Sequence, residues 1–192
     1  VAETSETTQK PANKKPESTP SRVTVVTKES LQGITTNAPR CGSPAATSLA
    51  QPSSLDLKYT KPDDWLTLDT YSNGASYRSA DFKSEQGFKN ISAGATLTLY
   101  VQSRCTRGSG LAEDMESYAQ NQTNEPGTQL IYIKVASYYG VRFKHSAGEN
   151  HNNHDVALLL KDEKVYTIEE QFNYSITNPY PNIIDQTKNV NV

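Results

Sequence analysis

The chain has 192 residues, a formal net charge of −2, a pI near 6.0 and an apolar share of 34%. That share lies well below the roughly 45–50% usual for a globular chain, so part of the sequence is expected to contribute little to a core. The longest apolar run, Val156 to Leu160, falls far short of the roughly 18 residues of a membrane-spanning helix, and the charge lacks the basic footprint of a nucleic-acid-binding surface.

The shortfall is concentrated at the start. The first 58 residues contain no aromatic side chain, Tyr59 being the first of 16, and six of the ten prolines (Pro11, Pro16, Pro20, Pro39, Pro44 and Pro52) lie there. A stretch of Ser, Thr, Ala, Gln and Lys with so little apolar surface does not offset roughly 1–2 kcal/mol of backbone entropy per residue. Residues 1–53 are therefore expected to be a disordered Pro/Thr/Ser-rich spacer, and residues 54–192 a folded domain. Within the spacer, Val23 to Thr27 is a candidate short strand. Glu3, Glu6, Glu17 and Glu29 balance Lys10, Lys14, Lys15, Arg22 and Lys28, which separates it from a polybasic lipid-binding tail. A spacer that opens at Val1 before a compact domain is the arrangement expected downstream of a signal peptide, lipid anchor or transmembrane helix.

Cys41 stands where spacer meets domain, and Cys105 closes the longest strand candidate. A Cys41–Cys105 disulfide would pin the end of the spacer to the sheet; two unrelated thiols are the alternative. An oxidising exterior favours the bond.

From Leu55 the period is two. Leu55, Leu57 and Tyr59 alternate with Asp56, Lys58 and Thr60 until Pro62, Trp65 to Thr70 continues in extended form, and Asn73-Gly74 predicts a hairpin turn before Ala75 to Ser79. Gly94 to Cys105 follows, with Ala95, Leu97, Leu99 and Val101 on one face. Helical spacing then brings Leu111, Met115, Tyr118 and Ala119 together, with Ser109 as candidate N-cap and Glu113 and Asp114 in the first turn. Pro126-Gly127 ends it. Gln129 to Ser137, Gly140 to Ser146, Val156 to Leu160 and Val165 to Phe172 read as strands, the last two joined by the turn Lys161-Asp162-Glu163-Lys164. A short helix from Pro181 and a closing strand at Asn189 to Val192 complete the pattern. The order strands, helix, strands, helix predicts an α+β fold with a mainly antiparallel sheet.

The succession Leu57-x-Tyr59-x-x-Pro62-x-x-Trp65, Tyr77-x-Ser79-x-Asp81-Phe82, Gly94-Ala95 opening a strand and a helix from Leu111 resembles PsbP-like domains. Tyr139-Gly140-Val141, Lys164 to Ile168 and Ile183-Ile184-Asp185-Gln186 continue the likeness, which covers residues 55–192. That family includes the extrinsic oxygen-evolving subunit of photosystem II, a Ran-binding import factor and bacterial secreted proteins and lipoproteins. The resemblance implies an α/β/α sandwich, an antiparallel sheet flanked by helices, and non-catalytic work through protein contacts.

One cluster suggests chemistry. All three histidines, His145, His151 and His154, lie within ten positions, with Glu149 and Asp155 beside them. Imidazoles and carboxylates converging at about 2.0–2.2 Å are what Zn2+ or Cu2+ requires, and His151 with His154 supplies two ligands if the segment is a helical turn. In a strand, a spacing of three sends the rings to opposite faces. The turn-forming residues around them favour an exposed hairpin loop instead. Gly108-Ser109-Gly110 is not a nucleophile elbow, no phosphate-binding glycine motif occurs, and Glu113-Asp114-x-Glu116 reads as a solvated helix face. The sequons at Asn90, Asn121 and Asn173 are no more than chance supplies. Among the tyrosines, Tyr100, Tyr138 and Tyr139 are candidate contact residues, the alternative being that they pave the sheet.

The expected function is thus a non-catalytic extracellular or surface-tethered binding module, with no cofactor, acting on a protein partner at the cell envelope. It would meet the membrane only through an upstream anchor. The rival is a metal-binding or small-ligand protein using the histidine region for Zn2+ or Cu2+, or a pocket between sheet and helix.

Overall fold

The computed structural model describes residues 23–57, 59, 61–85, 90–123, 127–146, 152–173 and 175. In chain order these form β1 (Val23–Val25), a 3-10 turn (Glu29–Leu31), α1 (Pro44–Thr47), β2 (Leu66–Tyr71), β3 (Gly74–Arg78), β4 (Lys83–Ser84), β5 (Ile91–Ala93), β6 (Ala95–Ser103), α2 (Leu111–Thr123), β7 (Ile131–Val135), β8 (Tyr138–Ser146), β9 (Asn153–Lys161) and β10 (Lys164–Phe172). Eight strands make one antiparallel sheet in the order β1-β7-β8-β9-β10-β6-β3-β2, and β4 and β5 pair separately.

Tight turns explain the middle of that order. Ala136 and Asp162, at φ 52° and 47°, turn β7 into β8 and β9 into β10, so consecutive strands fall beside one another. The expected turn at Lys161 to Lys164 is thus where the chain reverses. By contrast, β6 pairs with β10 and β7 with β8, so the connection through α2 crosses over β10, β9 and β8.

The period-two pattern gives each sheet face its own core. On one face α2 sets Leu111, Ala112, Met115 and Ala119 against Val141, Phe143, Val156, Leu158, Leu160 and Val165. On the other, Leu97, Leu99, Val101, Ile133, Val135, Ala157, Leu159, Tyr166 and Ile168 lie under Leu57 and Trp65, with Leu55, Tyr59 and Tyr77 packed against them. Each fully buried large aliphatic or aromatic side chain contributes roughly 1.5–3 kcal/mol, so both faces matter to stability.

The second face corrects the expected sandwich. Among the described residues it carries extended chain rather than a helix, and the fold is dominated by sheet, with one long helix on one side. Leu55 to Leu57 is not a strand either. It packs against the sheet, tied by Leu55 N–H to Ser72 O at 3.1 Å, with Leu57 buried and Tyr59 against the same core. An extended segment resting on a core buries alternate side chains just as a strand does, so periodicity alone does not separate the two. The helix and strand expected beyond Pro181 lie outside the described residues.

The assumed spacer also changes. Residues 1–22 are outside the described set, but β1 pairs with β7 and Leu31 is 1% exposed in the helix-side core, where Val26 and Ile34 also pack. Cys41 and Cys105 are disulfide-bonded. Around them Arg40 and Thr106 form a parallel bridge, with Cys41 N–H donating to Thr106 O at 2.9 Å and Thr106 N–H to Pro39 O at 2.8 Å. No helix among the described residues is long and apolar enough to cross a membrane.

Candidate metal centre

Strand register assembles a chemically suggestive cluster among the described residues. In the β8–β9 pair His145 stands opposite His154, and in the β9–β10 pair Gln171 stands opposite His154 and Glu169 opposite Val156. Since alternate residues share a face, His145, His154 and Glu169 project from three neighbouring strands to the helix-bearing side of the sheet, beyond Phe143 and Val156.

The two imidazoles stack with centroids 4.3 Å apart and planes 12° apart, and Phe143 lies against His145 at 6.3 Å. His154 Nδ1 is 2.5 Å from Glu169 Oε1. One ligand atom from each residue lies within 4.8 Å of the others, and all three residues are half-buried. A tetrahedral ion with ligands at about 2.1 Å separates its donors by about 3.4 Å, and the in-plane lone pairs of stacked imidazoles run side by side, so one ring has to turn out of the stack to close the set around an ion. Two nitrogens and a carboxylate form a donor set for Zn2+ or Cu2+, whereas Ca2+ and Mg2+ take oxygens.

His154 thus occupies a strand, not the helical turn that pairing with His151 requires, and His151 lies outside the described residues. Asp155 is not part of the cluster. It faces the opposite side of the sheet, fully buried, where Arg142 Nε and Nη2 donate to its two carboxylate oxygens at 3.1 and 2.8 Å and Lys144 Nζ stands 3.8 Å away. Glu169, 15 positions from His154 in sequence, was absent from the expected ligands; the register set by the Asp162-Glu163 turn is the signal that finds it.

No protein-family model matches the chain, and no curated protein matches it significantly. The reading of the site therefore rests on its own geometry.

The other expected residues have structural surroundings. Tyr138 is 4% exposed and meets the Tyr166 ring edge-on at 5.3 Å, so it paves the core and presents no contact surface. Tyr139 is half-buried beside the helix-side core under Lys134, and Tyr100 is half-buried on β6. The acidic run on α2 is only in part a solvated face. Asp114 is 1% exposed and bonded to Arg104, while its Oδ1 accepts Arg107 N–H at 2.6 Å. Burial tends to raise the Glu116 pKa, but bonds from Lys28 and Tyr132 outweigh it and leave the carboxyl below its ordinary value. Asp114 N–H bonds Gly110 O at 3.1 Å, which makes Gly110 the residue that opens the helix, in the place expected for Ser109. Between α2 and β7 lies an open groove of about 380 Å³ lined by Glu116, Ala119, Gln120, Leu130 and Tyr132. Its mixed polar and apolar walls lack the largely apolar enclosure typical of small-ligand sites.

Proposed function

We propose that the chain is a non-catalytic metal-binding module that takes one Zn2+ or Cu2+ ion at His145, His154 and Glu169. The observation that carries this is the convergence of two imidazoles and a carboxylate from three hydrogen-bonded strands. A site on paired strands is pre-organised, because ligand positions are fixed by sheet register rather than by a loop. Three protein donors leave a position for water or a donor from a bound partner. The disulfide supports an oxidising exterior, and tethering at the cell envelope with a protein partner belongs to the same proposal. So does kinship with PsbP-like domains, supported by the run from hairpin through long strand and helix to a four-strand meander.

Titration calorimetry with ZnCl2 and CuCl2 at neutral pH tests the centre. One ion should bind with micromolar or tighter affinity, and His154→Ala and Glu169→Gln should each remove most of the heat. Absence of heat in the wild type, or binding that survives both substitutions, overturns it.

A further inference from the structure

Glu169 is held at the head of a directional chain of hydrogen bonds that begins at a backbone donor. Ile91 N–H, on β5, donates to Asn152 Oδ1 at 3.0 Å. A backbone N–H has only one polarity, so it orients the Asn152 amide with its NH2 group turned away from β5. Asn152 Nδ2 then donates to Gln171 Oε1 at 3.5 Å, which turns the Gln171 amide in its turn, and Gln171 Nε2 donates to Glu169 Oε1 at 3.4 Å. That same oxygen meets His154 Nδ1. Asn152 is 7% exposed, so its amide needs partners and is not averaged by solvent. Asn173 Nδ2 bonds Ile91 O at 2.5 Å, which anchors the peptide beside the one that starts the chain.

We infer that Asn152 and Gln171 are positioning residues of the metal centre: through them the Ile91 amide keeps an N–H donor directed at Glu169 and so holds its carboxylate toward His154. The inference rests on the metal reading above. Reversing either amide would place an oxygen against an oxygen, leaving Glu169 repelled from its place. Partners of this kind orient ligands, and their loss typically weakens metal affinity about 10–100-fold.

The test is Zn2+ and Cu2+ calorimetry on the full chain, alongside urea unfolding. Gln171→Met keeps the volume and removes the donor; it should weaken binding about tenfold or more with little change in midpoint. Asn152→Asp separates architecture from positioning. It still accepts the Ile91 N–H, so the fold is kept, but it has no proton to donate to Gln171, and it should weaken binding like Asn152→Ala despite its added negative charge. Wild-type binding with both Gln171→Met and Asn152→Asp within twofold of it overturns the positioning role and leaves the centre standing. A wild type that binds neither ion removes the centre and the inference with it.

Discussion

Arg104 is one of the buried charges among the described residues. Its side chain is fully buried, Nη1 donates to Asp114 Oδ2, and Nε and Nη2 have no hydrogen-bond partner among the described residues. The ion pair joins the end of β6 to the first turn of α2, where the crossover leaves the sheet. Burying two charges costs several kcal/mol, which only the partner offsets, so removing one half is far worse than removing both. Asp114→Ala should lower stability by about 3–5 kcal/mol in urea unfolding, while Arg104→Met combined with Asp114→Leu should cost markedly less. Equal losses in single and double variants would show that the pair contributes little. Neither the pair nor Glu169 was legible in the sequence, and for one reason: a lone acid on an amphipathic helix or strand reads as solvated unless its tertiary partner is known. The histidines were legible because they are rare and adjacent, and only the register of β8 and β9 decided which two share a face.

At the scale of elements, β8 and β9 depend on a close approach. A Cβ at Gly140 on β8 would stand 2.2 Å from Leu158 O and 2.7 Å from Leu159 Cδ2, so backbone, and not a flexible side-chain tip, blocks it. Gly140→Ala therefore forces β8 and β9 apart, with a cost of about 1–3 kcal/mol from overpacking. Unfolding in urea should show a lower midpoint at an unchanged slope, because the surface exposed on unfolding stays the same. An unaltered midpoint would mean that the strands pass with more room than the contact implies. The long elements β6, α2, β8, β9 and β10 were readable from their periodicity and turns. Leu55 to Tyr59 misled, because burial against a sheet face copies the alternation of pairing within it. The missing second helical layer had the same origin: apolar residues on a strand's second face signal a cover but do not say that the cover is helical.

For the whole molecule, the aromatic-free start of the sequence turned out to contain both a covering strap and its fastening. Leu31 and Ile34 close the helix-side core, and Cys41 fastens that strap beside the end of β6. Composition concealed this because one buried Leu and a disulfide contribute almost nothing to a residue average, yet they decide whether a weakly apolar segment packs. With a sequence separation of 64 between the cysteines, the chain-entropy model assigns the bond roughly 4 kcal/mol. Cys41→Ser with Cys105→Ser should lose stability on that order, and reduction of the wild type should match it. The proposed metal centre should be indifferent. Cys105 follows Ser103 at one end of β6, whereas Thr98, opposite Glu169, lies five residues back along the strand, about 17 Å at 3.3 Å per residue. Sites that far apart without shared partners are expected to act independently. Calorimetry on the double-serine variant, below its unfolding midpoint, should therefore return the wild-type metal affinity. A loss of affinity there would mean that the strap and the ligand-bearing strands unfold as one unit, with the disulfide holding the ligand register as well as the core.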